Sequence, residues 1–274
     1  LAEATDRLRR LGGAADARRI VEEASGADAA ELALVLGDAV TEGGMARFDS
    51  MLARREVGEP LQYVLGHWGF RGLDLMLDPR VLIPRPETEQ VVQTALDELD
   101  RLGGRDLPTK VVDLGTGSGA IALSIASERV RTAVWATDAS AGAVSVARAN
   151  LVGLGRAAAR VTICEGDWFS ALPPGLMGDV QLVVSNPPYV PDSESLPPEV
   201  ADWEPADALR SGADGLDDIR RIVAEAPRWL EPQGVLVCEL SPEQAEPVLL
   251  LARAVFASCR IEEDLAGRPR MLVA

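Results

Sequence analysis

The chain has 274 residues, of which 47% are hydrophobic and 26% charged, a composition typical of a globular protein with a packed core. This length favours one domain of ordinary size together with a smaller one. The formal charge is −16: residues 1–80 carry 14 acids and 10 bases, and residues 81–274 carry 29 acids and 17 bases. Because nucleic-acid binders neutralise phosphates with cations, this charge argues against DNA or RNA as the main partner and favours a basic protein partner.

The sequence offers neither a membrane-spanning segment nor a metal or disulfide framework. No apolar run approaches the roughly 18 residues that a transmembrane helix needs. The first residues, LAEATDRLRR, are charged where a signal peptide would be apolar, so we expect a cytoplasmic protein without a membrane partner. Cys164, Cys238 and Cys259 stand singly on strand-like stretches without CxxC spacing, which predicts core thiols. With His67 as the sole histidine, no metal site is expected.

The first 82 residues predict a helical domain followed by a connecting hairpin. Apolar residues recur at helical spacing from Ala2 to about Glu56, with Gly26 and Gly37 where helices should end. Residues 1–60 are therefore predicted to form a small helical bundle. In residues 61–82, two extended runs at 61–65 and 73–77 are separated by aromatic residues and glycines, which predicts a β-hairpin joining two domains.

Residues 83–274 predict an α/β domain. A helix is expected to begin at Pro86, since proline suits a first helical turn and the following glutamates face the positive end of the helix dipole. Strand and helix patterns then alternate, which indicates a mostly parallel sheet with helices on both faces. Helices are expected near residues 217–230 and 242–255, and the last two strands should form an antiparallel edge hairpin. The long Pro- and acid-rich connection between Pro187 and Gly215 is expected to be a functional loop.

A glycine-rich turn follows the first strand of this domain. The segment VVDLGTGSGAIALSIA places Asp113 near a strand end and then Gly115, Gly117 and Gly119 before a helix. Glycines let a ligand press against bare backbone amides at a helix N-terminus. Such a turn is compatible with a dinucleotide as well, although the acid before the glycines suits a ligand that carries positive charge.

Two further acidic residues end the next two strands. Asp138 can accept hydrogen bonds from both hydroxyls of a ribose, although it also suits the N-cap of the following helix. In the segment GDWF, Asp167 can accept from an adenine amino group, and Trp168 can pack either on the adenine ring or in the core. Together these positions predict a nucleoside-containing cofactor.

The segment VVSNPPYV ends the fourth strand with an unusual motif. Pro187 and Pro188 lack backbone donors, so the strand must stop and leave Asn186 at its carboxyl end, where open α/β sheets bind ligands. The Asn186 side-chain oxygen and the Pro187 carbonyl can accept from the two N–H groups of a planar amino group, and Tyr189 offers a flat face. The predicted catalytic residues are therefore Asn186, Pro187 and Tyr189. The motif allows adenine N6, guanine N2 or glutamine N5 as the planar amino group.

Several motifs together carry a family resemblance. The form DLGTGSG resembles the first motif of class I S-adenosylmethionine-dependent methyltransferases, which implies a Rossmann-like, mostly parallel seven-stranded sheet and S-adenosyl-L-methionine as cofactor. The segments GEPLQYVLGHWGF, VLIPRPETE, SNPPYV and EPADALRSGADGLDDIR, in this order behind a helical domain, resemble the bacterial HemK or PrmC family of peptide chain release factor glutamine methyltransferases. The resemblance implies methylation of the glutamine N5 in the GGQ motif of class 1 release factors, with the helical domain docking this protein substrate.

The resemblance also assigns residues to the two ligands. With Asp167 from the strand pattern, the predicted cofactor-binding residues are Gly115, Thr116, Gly117, Ser118, Gly119, Asp138, Asp167, Trp168 and Asn186. The predicted substrate-binding residues are Asn186, Pro187, Pro188 and Tyr189, with Arg85, Glu87 and Thr88 bordering the pocket, although these last three equally suit the start of a helix. A monomer is expected. Two alternatives remain open: a nucleic-acid amino-methyltransferase acting on adenine N6 or guanine N2, and a cofactor-binding module without catalysis.

Overall fold

The protein is described by a computed structural model that covers residues 1–9, 13–28, 30–35, 37, 40–103 and 107–274. Its chain divides into two compact units. The helical unit comprises Leu1–Trp68, Leu77–Pro79 and Leu196–Trp203, and the sheet unit comprises Gly69–Met76, Arg80–Ser195 and Glu204–Ala274.

The described residues contain helices and strands whose order follows the chain. The helices are α1 (Ala2–Arg7), α2 (Gly13–Ser25), α3 (Leu32–Val35), α4 (Glu42–Glu56), α5 (Leu61–Leu65), α6 (Pro86–Gly103), α7 (Ala120–Glu128), α8 (Ala141–Val152), α9 (Pro198–Ala201), α10 (Asp217–Glu225) and α11 (Ala245–Arg253). The strands are β1 (His67–Phe70), β2 (Leu73–Met76), β3 (Thr109–Leu114), β4 (Thr132–Asp138), β5 (Val161–Glu165), β6 (Val180–Ser185), β7 (Leu230–Glu239), β8 (Arg260–Glu263) and β9 (Pro269–Val273). Within these ranges, no helix is both long and apolar enough to cross a membrane.

The N-terminal region is helical, as predicted. In α2, Ala17 and Ile20 share one face because they lie three residues apart, and both pack into a core with Leu52 of α4. The buried Arg55 guanidinium donates to Asp16 Oδ2 at 2.7 Å and to Glu199 Oε1 at 3.1 Å. These charge-assisted bonds fix α2 and α9 to α4 within the helical unit.

The first strand predicted for the hairpin is wrong, because Leu61–Leu65 forms the short helix α5. Pro60 precedes its first turn, and Leu61 and Val64 turn a common face into the helical core, so packing overrides the β-propensity of this segment. Gly66 ends the helix with φ +82°, a left-handed conformation that favours glycine. The strands that pair here are β1 and β2.

The main sheet confirms the predicted α/β fold. Among the described residues it has seven strands in the order β5-β4-β3-β6-β7-β9-β8. The first five are parallel, and β9 pairs antiparallel with both β7 and β8. Strand order reverses between β3 and β6, so the turns that follow these two strands diverge and leave a crevice, the usual place for a ligand in such a sheet.

One helix in the second half ends earlier than predicted. The helix expected near residues 217–230 ends at Glu225, because Pro227 cannot supply the next backbone donor, and a 3₁₀ turn over Ala226–Arg228 follows. Strand β7 then begins at Leu230. The connection between Pro187 and Gly215 contains α9 and a 3₁₀ turn over Ala206–Ala208.

Candidate active site

A cavity of about 460 Å³ lies in the sheet unit at the carboxyl ends of the parallel strands. Its wall includes residues from the turns after β3, β4, β5 and β6 and from the start of α6. The predicted site residues that line it are Thr88, Gly115, Thr116, Gly117, Ser118, Asp138, Asp167, Trp168, Asn186 and Pro188. Segments that are up to about a hundred residues apart in the sequence therefore meet in one cavity.

The glycine turn after β3 has a backbone that other residues adopt only with strain. Gly115 and Gly117 have φ values of +69° and +55°. A Cβ atom on Gly115 would lie 3.1 Å from the Trp168 ring, so the backbone and the indole are in close contact. The Gly117 amide donates to Asp138 Oδ2 at 2.8 Å, which fastens the turn to the end of β4.

Asp113 is a fully buried carboxylate beneath this turn. Its Oδ2 accepts from Thr116 Oγ1 at 2.6 Å and from the Ala122 amide at 3.1 Å. Its Oδ1 has no hydrogen-bond partner among the described residues. Burial raises the pKa of Asp113 to about 7. A buried acid with one unpartnered oxygen fits a cationic ligand, because positive charge nearby stabilises the ionised form.

Asp138 is held by the backbone at both oxygens. Oδ2 accepts from Gly117, and Oδ1 accepts from the Ser140 amide at 2.9 Å. Burial raises the pKa of Asp138. Since each carboxylate oxygen has two acceptor directions, both keep capacity for the hydroxyls of a ribose.

Trp168 is held in a strained position at the end of β5. Its φ of +45° is uncommon for a bulky residue and costs about 1–3 kcal/mol, which indicates a functional constraint. The indole Nε1 donates to Asp218 Oδ1 at 3.2 Å, and Asp218 Oδ2 accepts from Ser211 Oγ at 2.8 Å. The neighbouring Asp167 carboxylate, predicted to accept from adenine, forms an ion pair with Arg221 in this structure.

The end of β6 carries the Asn-Pro-Pro-Tyr motif. Ser185 Oγ donates to the Leu114 carbonyl at 2.7 Å, which joins the end of β6 to the end of β3. Asn186 Nδ2 donates to Thr88 Oγ1 at 3.2 Å. The Tyr189 hydroxyl donates to Glu239 Oε1 at 3.3 Å, and burial raises the pKa of Tyr189, so the phenol stays neutral.

Comparison with known proteins decides the family. Residues 1–66 match the PrmC N-terminal domain, and residues 93–200 match the Methyltransferase small domain. The chain is 41% identical over 272 residues to the release factor glutamine methyltransferase of Bifidobacterium longum (strain NCC 2705), with 94% of this chain and 91% of that protein covered. It is 42% identical over 265 residues to the same enzyme of Burkholderia pseudomallei (strain K96243), with 94% and 90% covered. The chain belongs to the release factor glutamine methyltransferase family.

A solved structure shares the fold of this family member. The crystal structure of the hMettl16 catalytic domain in complex with MAT2A 3'UTR hairpin 1 superposes with a TM-score of 0.57 at 15% identity. The match covers 85% of this chain and 79% of that chain. At this identity the likeness concerns the fold alone, and it agrees with the methyltransferase architecture of the sheet unit.

Some residues that the resemblance assigned do not line the cavity of this release factor glutamine methyltransferase family member. Among the described residues, those outside its wall are Gly119, Pro187, Tyr189, Arg85 and Glu87. Arg85 Nη2 donates to the buried Glu204 Oε1 at 2.6 Å, and Glu87 pairs with Arg268 at 3.1 Å. Of Arg85, Glu87 and Thr88, it is thus Thr88 that lines the cavity.

Sequence reasoning missed other residues in or behind the wall. Arg80, Asp218 and Arg221 line the cavity, and Glu239 lies behind it against Thr88 and Tyr189. Asp218 belongs to the segment EPADALRSGADGLDDIR, which was used for the resemblance without a role for its acids. An acid in the first turn of a predicted helix was the sequence feature that could have indicated Asp218 as a site residue. Glu239 follows an apolar strand run, and the same kind of position indicated Asp113.

Proposed function

We propose that this protein transfers a methyl group from S-adenosyl-L-methionine to the N5 amide nitrogen of the glutamine in the GGQ motif of class 1 peptide chain release factors. One observation carries the proposal: the Asn186 carboxamide and the glycine turn after β3 line the same cavity. A methyl donor held by the turn would lie beside an acceptor held by Asn186. Membership of the release factor glutamine methyltransferase family supports the choice of glutamine.

The residues around the glycine turn fit this cofactor. S-adenosyl-L-methionine, when bound, supplies an electrophilic methyl group on a positively charged sulfur. Asp113 contributes negative charge beneath the turn, and Asp138 contributes two oxygens that can accept from ribose hydroxyls. Trp168, fixed through Asp218, offers a ring face to the adenine.

The Asn-Pro-Pro-Tyr motif answers the difficulty of methylating an amide. An amide nitrogen is a poor nucleophile because its lone pair is delocalised into the carbonyl. We assign Asn186 Oδ1 and the Pro187 carbonyl as acceptors for its two N–H groups, which draws electron density onto the nitrogen and fixes its direction. The methylated nitrogen is acidic and loses its proton readily, so no strong base is required. Positioning is then the main contribution, worth about 7–11 kcal/mol in favourable cases.

The same proposal assigns roles to the parts of the chain. We assign docking of the release factor to the helical unit, and cofactor binding and methyl transfer to the sheet unit. We also propose that the enzyme is cytoplasmic, monomeric and without a membrane partner. The net charge of −16 supports a protein substrate over the adenine N6 or guanine N2 of a nucleic acid.

Methyl transfer to purified substrates tests the proposal. The protein is incubated with labelled S-adenosyl-L-methionine and with release factor, tRNA, rRNA or DNA in separate reactions, and the modified residue is mapped by mass spectrometry. We expect label on the GGQ glutamine of the release factor. Label found in nucleic acid alone would refute the choice of substrate.

Substitution of Asn186 tests its role separately. Asn186→Ala should lower the rate of methyl transfer by about 10²-fold or more, since it removes one transition-state hydrogen-bonding group, while cofactor binding persists. Gln233→Ala is a matched control, because this exposed carboxamide lies near the amino end of β7, opposite the site. Unchanged turnover in Asn186→Ala would contradict the assignment.

A further inference from the structure

A buried carboxylate behind the cavity holds two residues of the site. Glu239, the last residue of β7, is 1% exposed. Its Oε2 accepts from Thr88 Oγ1 at 2.8 Å, and its Oε1 accepts from the Tyr189 hydroxyl at 3.3 Å. Strand register explains the meeting: Cys238 of β7 pairs with Ser185 of β6, so the next residue of β7 lies level with the residue after β6.

The proton of the Thr88 hydroxyl determines which way the Asn186 amide faces. A hydroxyl has one proton and two acceptor directions. Because the Thr88 proton is donated to Glu239, Thr88 can only accept from Asn186, and the contact of 3.2 Å is made by the amide nitrogen Nδ2. The oxygen Oδ1 is the other branch of the amide and therefore points away from Thr88.

The opposite arrangement would disable the predicted acceptor. If Thr88 donated its proton to Asn186, the amide would turn by half a revolution and direct Nδ2 away from Thr88. Donors would then face the two N–H groups of a substrate amide, which is repulsive. The direction of the Thr88 hydroxyl proton thus decides whether Asn186 presents an acceptor or a donor to the substrate amide.

We propose that Glu239 is a positioning residue for methyl transfer, which acts through Thr88 to hold Asn186 Oδ1 toward the substrate amide and which anchors the ring of Tyr189 directly. This inference rests on the proposed function and adds a residue to its site. Glu239 is given no contact with the substrate, since it lies outside the cavity wall, behind Thr88.

The surroundings of Glu239 make this placement costly. Burial raises its pKa to about 7, the hydroxyls of Thr88 and Tyr189 and the charge of Arg270 on β9 lower it, and the charge of Glu87 on α6 raises it. Burial outweighs the stabilising contacts, so the ionised side chain destabilises the fold at pH 8. If Glu239 had no role in turnover, a neutral residue could replace it without loss of kcat. If it positions Asn186, the replacement should lower kcat.

Glu239→Gln tests this distinction. The amide keeps the shape but can donate to Thr88, so it permits the wrong orientation of Asn186. We expect kcat for release factor methylation to fall about tenfold, which is less than the loss of about 10²-fold expected for Asn186→Ala. The KM for release factor and the Kd for S-adenosylhomocysteine should stay within about twofold, and the melting temperature at pH 8 should equal or exceed that of the wild type.

Glu98→Gln is the matched control. Glu98 is a buried acid on α6 whose carboxylate accepts from Arg101 at 2.6 Å and from Arg260 at 2.7 Å, away from the cavity. The hydrogen bonds from these arginines hold the pKa of Glu98 below its usual value despite burial. This variant should melt at a lower temperature than the wild type with an unchanged kcat, the reverse of the pattern expected for Glu239→Gln.

Substitutions of Thr88 test whether Glu239 acts through it. Thr88→Val is nearly isosteric and lacks the hydroxyl, so it should lower kcat, and Thr88→Ser should recover most of the loss. The double variant of Glu239→Gln with Thr88→Val should be little slower than Thr88→Val alone, because the amide oxygen introduced at position 239 can still accept from Tyr189 and both changes then break only the relay through Thr88.

Three results would overturn the inference: a wild-type kcat in Glu239→Gln, a loss of kcat matched by weaker S-adenosylhomocysteine binding and a lower melting temperature, or multiplicative losses in the double variant. Failure of the proposed function is a different result, because the wild-type protein would then leave the release factor unmethylated.

Discussion

Replacement of Asp113 by asparagine should change how the stability of the protein depends on pH. Asp113 is fully buried, and its pKa is raised to about 7 from 3.8. Below pH 3.8 the acid is protonated in both the folded and the unfolded state. Between pH 3.8 and 7 the folded state retains a proton that the unfolded state has lost, so the free energy of unfolding falls as pH rises. Above pH 7 the loss is complete.

The size of this effect follows from the shift. One pKa unit corresponds to about 1.4 kcal/mol, so the shift from 3.8 to about 7 amounts to about 4 kcal/mol, of which about 3 kcal/mol falls between pH 5 and 8. Asp113→Asn abolishes the titration. The new Nδ2 donor at the position of Oδ1 lacks an acceptor among the described residues, a loss of about 1–3 kcal/mol that does not depend on pH.

Urea unfolding of both proteins at pH 5, 6, 7 and 8 measures the difference. Relative to the wild type, Asp113→Asn should gain about 3 kcal/mol between pH 5 and 8, whatever its stability at pH 5. Glu239, a buried acid that is common to both proteins, cancels in the comparison. Asp264→Asn is the control, because backbone and arginine hydrogen bonds lower the pKa of Asp264 to about 2, and this acid is ionised in both states over the range. Parallel curves for the wild type and Asp113→Asn would refute the reasoning.

Two further substitutions probe the supports of the cavity. In Gly215→Ala, where the backbone φ is +73°, the added Cβ would overlap the Tyr189 carbonyl oxygen, so the melting temperature and the rate of methyl transfer should both fall. The control is Gly178→Ala, which has a similar φ of +74° but open space around it and should lose only the backbone preference of about 1 kcal/mol. Equal losses of stability in the two variants would show that the contact with Tyr189 is unimportant. Asp218→Ala removes the acceptor of the Trp168 indole and should weaken S-adenosylhomocysteine binding about tenfold by calorimetry, and an unchanged Kd would exclude this positioning of Trp168.

The sequence predicts those helices and strands that the residues of a single segment are enough to specify. Strands β3 and β6 are buried on both faces, so valine and leucine occupy adjacent positions in them, and the strands end at a glycine turn and at Asn186 with two prolines. Helix α6 begins at Pro86, as predicted from proline and the acids in the first turn. Helix α5 was predicted as a strand because a run of five mostly apolar residues suits either a buried strand or a short helix. Only packing against the helical core selects the helix.

The site was predictable up to the point at which distant side chains meet. Polar residues at strand ends indicated Asp138 and Asn186, because parallel strands bring such ends to one edge. The hydrogen bond between Thr88 and Glu239 joins residues 151 apart in the chain, and the ion pair between Asp167 and Arg221 joins residues 54 apart. Neither contact leaves a periodicity in the sequence, since each depends on strand order and register.

Strand order also places two buried acids, Asp113 and Glu239, on either side of the strand that ends in Asn186. That strand is β6, which lies between β3 and β7. Each acid is fully buried and each raises the free energy of the folded state at pH 8, although an apolar residue would fit both strands better. Their proposed tasks differ: Asp113 supplies negative charge beneath the cofactor turn, and Glu239 accepts hydrogen bonds from two hydroxyls. Removal of either charge should therefore stabilise the protein at high pH and impair a different step, cofactor binding for Asp113 and turnover for Glu239.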